Sequence, residues 1–414
     1  MVAFVPVYCA VRLLTSLLRA ARWHRWLPRL HTLLGIRRRV LYLEVFYPGA
    51  SGYQYRVAQW LPVLESAGFT TQVRHPLSGV ATSALLGGGW TGLFLTGYMV
   101  RRVLQCLTAP LYSCVVVRRE LLLYNDYGDL FLERFLLALN PHVVLDFDDD
   151  ISAAKQEPRQ ISWVGRVLRE NPSKFGESLD LYPQLIAGSG YLAGLVRARA
   201  PRATATDVEV IPTCVDYHEL SARVYESDSD VLTFGWIGTN GNLPELERIV
   251  PDLEAVSRDH PIRLIVISGR DLEHDATFPV ANRRWSLETQ IRDLREIDVG
   301  LMPLEDSLVA RGKCGFKLLQ YMGLGIVGMA TGITTNREIV STEGVDGFLV
   351  EPGEDWEPAL RRVLAHRGEF AQIGARGRER VRDHYSVQSH ADRYVACISR
   401  ACAGRENGRE NPGS

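Results

Sequence analysis

The chain has no pattern of cysteines on which a stapled fold could rest. Its seven cysteines are odd in number and show no paired close spacing, which argues against a disulfide framework and against a structural zinc site and implies a reducing cytoplasm. Acidic residues are missing from the entire N-terminal segment. Arg12, Arg19, Arg22, Arg25, Arg29, Arg37, Arg38 and Arg39 all precede the first carboxylate, Glu44; interspersed with Leu, Trp and Val, they suit an anionic surface as partner. A G-x-G-x-x-G after the first expected strand, with an acidic residue about twenty positions on, is also absent, which disfavours a dinucleotide oxidoreductase. The net charge is −1, and no basic stripe interleaved with aromatics stands out, so no nucleic-acid partner is expected. Residues 2–18 are apolar, but Arg12 interrupts them and no basic stretch precedes them, which does not fit a secretion signal. Residues 77–100 carry no charge and are long enough to span a bilayer. They contain six glycines and lie between two expected strands, leaving a packed core helix, a surface resting on lipid and a true span as readings.

What is present is an alternation of strand and helix patterns. A length of 414 residues exceeds one ordinary core and suits two domains of roughly 150 to 200 residues each. Residues 40–46 read as the first strand, Pro48-Gly-Ala-Ser-Gly52 as the first crossover loop, and a helix carrying Val57, Trp60, Leu61 and Leu64 follows. Further strands are expected at 69–73, 113–117 and 142–147, then ending at 186–188 and near 208–212. A helix over 128–139 joins two of them in the βαβ manner. After the polar stretch 219–230, which reads as the domain linker, residues 231–237 restart the alternation, with later strands at 263–267, 283–286, 299–303 and 326–330. A helix from Gly374 onward is interrupted near 384–386. Residues 404–411 repeat a polar pattern and read as a disordered tail.

Asp298-Val-Gly-Leu-Met-Pro-Leu followed by Arg311-Gly-Lys-Cys-Gly-Phe-Lys-Leu-Leu-Gln320 reads as strand, basic glycine-containing loop and helix start. That is an anion-binding arrangement. Amides of Cys314, Gly315 and Phe316 lie at the positive end of a helix, and Arg311, Lys313 and Lys317 add formal charge there, so a diphosphate fits. A plain helix start with solvated lysines is the bland alternative. In a parallel sheet such loops sit at the carboxyl ends of strands, where ligands bind. Gly238-Thr-Asn-Gly-Asn242 opens the second domain, with glycines that permit close approach of backbone to phosphate. Asn242 and Glu245 there form a candidate capping box.

Residues 298–352 resemble the donor half of glycosyltransferase family 4, whose members have the GT-B fold. The match extends to Arg337-Glu338-Ile-Val, to Gly344-Val-Asp-Gly-Phe-Leu-Val-Glu-Pro352 and, in the first half, to Pro48-Gly-Ala-Ser-Gly-Tyr-Gln-Tyr-Arg56, Val117-Arg-Arg-Glu-Leu121, Asp146-Phe-Asp-Asp149, Ile186-Ala-Gly-Ser189 and Ile211-Pro-Thr-Cys-Val-Asp216. The resemblance implies an α/β chain with two Rossmann-like parallel-sheet domains facing a central cleft. Its expected parts are a basic apolar extension at 1–39, an acceptor-side domain at 40–216, a nucleotide-sugar domain at 217–385, a helix crossing back at 386–403 and a tail at 404–414. One departure matters. Many family members carry two glutamates separated by seven residues around the donor loop, and here Gly312 and Gln320 stand at those positions.

The implied activity is retaining, metal-independent transfer of a sugar from a nucleotide-diphosphate sugar to a glycolipid or saccharide, with no cofactor. Lys317 and Arg311 would neutralise the leaving diphosphate. Gly238, Thr239, Asn240, Lys313, Cys314, Gly315 and Phe316 would contact the donor, Gly52 would approach it from the opposite wall, and Gln320 would hold the ribose through its amide. Ser51, Tyr53, Arg56, Arg119 and Asp149 fall on the acceptor side. In the run Asp146-Phe-Asp-Asp-Asp150, Asp148 or Asp149 would orient an acceptor hydroxyl or accept its proton, or the carboxylates cap the following segment; as a metal site the set is incomplete. A cytoplasmic location follows, with the basic segment at the inner face of the membrane. A nucleotide-sugar epimerase and a non-catalytic nucleotide-sugar-binding relative are the competing readings.

Overall fold

A computed structural model describes residues 4–76, 92–122, 130–150, 174–199, 208–225 and 230–404. Most of the uncharged segment at 77–100, the start of the helix expected at 128–139, part of the polar linker and the polar tail lie outside them. The chain divides into two compact units, residues up to Pro212 together with those from Ala391 on, and Thr213–His390. The polar stretch after residue 218 falls inside the second unit, because Val215 and Leu220 are buried in that unit's core.

The first unit holds one parallel six-stranded sheet: β1 (Arg39–Leu43), β2 (Thr70–Arg74), β3 (Cys114–Arg118), β4 (Val143–Phe147), β5 (Gln184–Ala187) and β6 (Val208–Val210). Their order is β2-β1-β3-β4-β5-β6. β3 and β4 are buried at every residue, as expected of inner parallel strands covered on both faces. The second unit repeats the plan with β7 (Leu232–Ile237), β8 (Ile262–Ser268), β9 (Val280–Arg284), β10 (Val299–Met302), β11 (Val327–Thr331) and β12 (Phe348–Val350), ordered β12-β11-β10-β7-β8-β9. Its first strand therefore neighbours its fourth. Strand order reverses between β7 and β10, and in the first unit between β1 and β3; such reversals open the crevices where open α/β sheets take ligands. The helix Val387–Ala403 begins in the second unit and ends in the first.

Three sequence expectations need correction. β9 lies three residues before the expected start, because this edge strand exposes most of its side chains and carries no apolar run. β12, only three residues long, was not anticipated as a strand. The capping box does not form: Asn240–Asn242 is a 3-10 turn, the Asn242 amide donates to Thr239 Oγ1 (3.2 Å) and Glu245 accepts from the Glu305 amide (3.0 Å).

Close packing of the helix Phe316–Gly323 on β10 is set by one glycine. A Cβ on Gly300 would lie 2.2 Å from the Tyr321 ring. That ring cannot swing away, since its hydroxyl accepts from Ile237 N–H (3.0 Å) and donates to Leu301 O (3.2 Å). Gly300→Ala is expected to cost about 3 kcal/mol through overpacking. Gly97→Ala, on an exposed helix face with no atom in the way, should stabilise by about 0.5–1 kcal/mol. Thermal unfolding of the two variants checks both.

Candidate active site

The two loops that follow β7 and β10 carry the candidate donor site of the second unit. After β7 the chain passes through Gly238, where a Cβ would meet the Trp236 ring at 2.4 Å and Lys317 Nζ at 2.9 Å. Only glycine fits between those groups. Gly269, just past β8, has Asn240 Oδ1 2.6 Å from a Cβ placed there, the tip of an exposed side chain that can turn aside. After β10, Ser307 caps the short helix Leu308–Arg311 by accepting from Ala310 N–H at 3.1 Å. Gly315 then takes φ 67° and starts the helix Phe316–Gly323. A Cβ on Gly315 would also lie 2.3 Å from Ile339 Cδ1, so backbone conformation and space both call for glycine. The first-turn N–H groups of that helix have no intrahelical acceptor.

Lys317 sits in this first turn. Its Nζ lies 4.2 Å from the centroid of the Trp236 ring, is closed to solvent and has no hydrogen-bond partner among the described residues. Burial, reinforced by neighbouring Lys313 and opposed by Glu245, pushes its pKa down to about 7. The Trp face offsets part of the cost of burying the cation, and an anion brought to the site would offset more. Lys313 Nζ reaches Asn242 Oδ1 at 3.4 Å, which ties the two loops together. Cys314 and Gln320 are buried beside them. The whole chain has four lysines among its 47 Lys and Arg residues, and two of the four are here.

Arg311 is placed differently from the sequence expectation. It is exposed and binds Asp306 through two hydrogen bonds of 2.6 and 2.8 Å, holding the Asp306 carboxyl below its usual range. Its charge is already matched, so Lys317 is the stronger candidate for a diphosphate. Gly312 ends the short helix at φ −80° and presents no side chain.

Of the residues expected on the acceptor side, Ser51 and Tyr53 follow β1, Arg119 follows β3 and Asp149 follows β4. Ser51 and Gly52 begin the helix α3 (Ser51–Arg56), and Tyr53 meets His75 edge-on at 4.8 Å. Arg56 is buried, donating to Asp146 Oδ1 (2.8 Å) and Ile211 O (2.7 Å), and it links two strand ends. Asp148 is held by arginines: burial pushes its carboxyl up, but Arg118 at 2.6 Å, Arg56 and Arg119 outweigh it and hold it below its usual range. A carboxylate so stabilised is a poor base. Asp150 pairs with Arg199 at 3.1 Å, so this part of the run is spent on arginines. Asp149 is about half exposed and 3.9 Å from Arg119, and Arg119 takes φ 67° with its guanidinium over Phe46. Among the described residues no group of three His, Cys, Asp or Glu side chains could hold a metal ion. Sequence reasoning missed Trp236, which reads as an ordinary core residue of β7, and Glu44, a buried carboxylate that accepts from Val45 and Phe46 N–H at 2.8 and 2.9 Å.

No family model matches the chain, and no curated protein matches it in sequence. Solved structures do match in fold. Sucrose-phosphate synthase from Thermosynechococcus elongatus superposes with a TM-score of 0.64 at 13% identity, over 88% of this chain and 98% of its own. The Anabaena protein Alr3699/HepE, solved in complex with UDP-glucose, gives 0.61 at 13% identity over 88% of this chain and 100% of its own. The fold is GT-B. The lipopolysaccharide outer core galactosyltransferase WaaB shares this GT-B architecture at 14% identity, with a TM-score of 0.59 over 87% of this chain and 99% of its own. Within GT-B, the Lys317 loop follows the fourth strand of the second unit and the Gly238 loop its first.

Proposed function

We propose that the protein is a glycosyltransferase of the hexosyltransferase type, taking its sugar from a nucleotide-diphosphate donor and passing it to a saccharide or glycolipid at an anionic membrane face. The observation that carries the reading is Lys317: a solvent-closed amine with no hydrogen-bond partner among the described residues, beside a helix start and the glycines Gly238 and Gly315, which admit no side chain. An anionic leaving group is the ligand chemistry that suits it. Solved GT-B neighbours bound to UDP-glucose, or to ADP and acarbose, support a nucleotide donor.

In this reading Lys317 and the first-turn amides of Phe316–Gly323 take up charge as the bond from C1 to the diphosphate breaks. Gly238, Thr239 and Asn240 let the nucleotide approach, Lys313 adds charge, and Gln320 replaces the family glutamate at the ribose. An acceptor oxygen bonds to C1 and its proton leaves to a carboxylate, for which Asp149, more exposed and less tightly paired than Asp148, is the candidate. Ser51, Tyr53 and Arg119 orient the acceptor. Retention of configuration and independence of metal are carried over from the family 4 resemblance.

Calorimetric titration with UDP, GDP and ADP, with NAD as a control, tests the donor site. One nucleoside diphosphate is expected to bind saturably, and Lys317→Ala to weaken it at least tenfold, about 1.4 kcal/mol. A folded protein that binds none of them sinks the assignment. The missing glutamates at Gly312 and Gln320 favour a second reading, a binding protein without transfer. It predicts nucleotide binding with no sugar moved to any acceptor, whereas an epimerase would convert the donor alone.

A further inference from the structure

The helix α1 (Phe4–Ala20) is apolar on two opposite faces, and the protein covers one of them. Val11 and Thr15 are buried, Tyr8 packs edge-on against Phe131 at 5.0 Å, and the helix lies against Gly92–Leu107 and Phe131–Leu139. At about 100° per residue the far face carries Pro6, Cys9, Leu13, Leu17 and Ala20. All of these are exposed, Leu13 at 64% and Leu17 at 57%. That far face carries no charge. Arg12 and Arg19 fall on one flank of the helix, and with Arg134, Thr15, Ser16 and Phe131 they line a cleft of about 340 Å³. Among the described residues, three guanidinium groups and two hydroxyls line it, with no acid.

We propose that this surface docks the first unit onto an anionic phospholipid bilayer, with the outward stripe of α1 in the acyl boundary and the Arg12, Arg19 and Arg134 cleft on a lipid phosphate. The proposal deepens the reading of a transferase at a membrane face by naming the surface and its partner. Charge complementarity selects lipid: α1 and the segment after it bear eight arginines before the first carboxylate, Glu44. Neighbouring elements extend the same chemistry. Val100, Leu104 and Leu107 are exposed at helical spacing on the adjoining helix. Leu33 is exposed at the end of α2 (Leu27–Leu33), whose His31 holds Pro110 O at 3.0 Å beside exposed Leu111. Trp26 is exposed with the Arg29 guanidinium 5.0 Å from its ring. Arginines snorkel to the headgroups and Trp sits at their level when such a helix lies in the interface. None of the described helices is long and apolar enough to cross the bilayer.

Sedimentation of the full chain with vesicles tests this, using phosphatidylcholine alone and phosphatidylcholine with a third of an anionic phospholipid. The wild type is expected to sediment with the anionic vesicles only, less so as salt is raised. Leu13→Glu/Leu17→Glu, at exposed positions that leave the fold intact by thermal unfolding, should lose more than thirtyfold in partition. Arg12→Gln and Arg19→Gln should each lose about fivefold on anionic vesicles. The inference is overturned if the wild type stays in solution with anionic vesicles, or if the Leu13→Glu/Leu17→Glu variant sediments as well as the wild type. A concentration-dependent dimer dissolved by those substitutions, without vesicle binding, would make the stripe an interface between copies and also overturn it. UDP, GDP and ADP titrations on the same preparations separate the readings: lost vesicle binding with intact nucleotide binding removes the docking surface alone, and the reverse removes the donor site alone.

Discussion

Nucleoside diphosphate binding at pH 8 is expected to take up close to one proton, and Lys317→Ala to abolish the uptake. The free Lys317 amine, pushed down to about 7 by burial, is largely neutral at pH 8. A diphosphate beside it favours the charged form and returns its pKa upward, so the proton comes from the buffer. At pH 6 the ammonium is already formed and uptake should vanish. Calorimetry in two buffers of different ionisation heat reads this directly, and equal heats at pH 8 would show that the amine is not the group that meets the anion. The rate of transfer should fall by about a hundredfold to a thousandfold in Lys317→Ala, as for loss of one preorganised donor at a developing charge. Stability should move the opposite way. A folded pKa below the unfolded value of 10.5 means that burial cost is fully felt below pH 7 and is relieved as pH rises from 7 towards 10.5. Lys317→Met is therefore expected to stabilise the free protein by a few kcal/mol at pH 6 and by much less at pH 10.

Arg56→Met should destabilise the first unit by about 3–5 kcal/mol, since it strands the buried Asp146 carboxylate without its closest cation. The two side chains are each 1% exposed, and they meet at 2.7 Å. Replacing both, as Arg56→Met/Asp146→Leu, should recover at least half of the loss, because the pair's mutual attraction mostly offsets its own desolvation. A double-mutant cycle on thermal unfolding measures this, and single and double variants with equal losses would show that the pair is not the coupled unit described here. Lost transfer in a well-folded Arg56 variant would instead return the residue to the acceptor side.

The strands most legible in the sequence are those buried on both faces. β3, β4, β7 and β11 are apolar runs bounded by turn residues, and their expected limits differ from those observed by about a residue. β9 was misplaced because an exposed edge strand of mixed polar residues carries no periodicity that differs from a loop. The loop and helix start at Gly315 are legible because glycine, lysine and an apolar helical spacing coincide in one short stretch. Their companion Trp236 is not, since alternation cannot tell whether a strand residue ends in the core or under a cation. The same limit applies to Arg56 and Asp148. Their charges mark strand ends in the sequence, but the partners that neutralise them lie 90 and 30 residues away. The scarcity of lysine is a signal that was there to be used. Where almost every cation is arginine, a lysine pair in one loop points to a compact ammonium able to change its protonation, which arginine cannot do.

The helix Val387–Ala403 has a consequence for the order of events during synthesis. Tyr394 from this helix stacks on Trp60 at 4.3 Å and meets the Tyr42 hydroxyl at 2.9 Å, so the first unit's core needs residues made some 330 positions after Trp60. Nearly all of the second unit leaves the ribosome before that piece does. The unit that is translated first is completed last, and until then its Trp60 surface is open to solvent and chaperones.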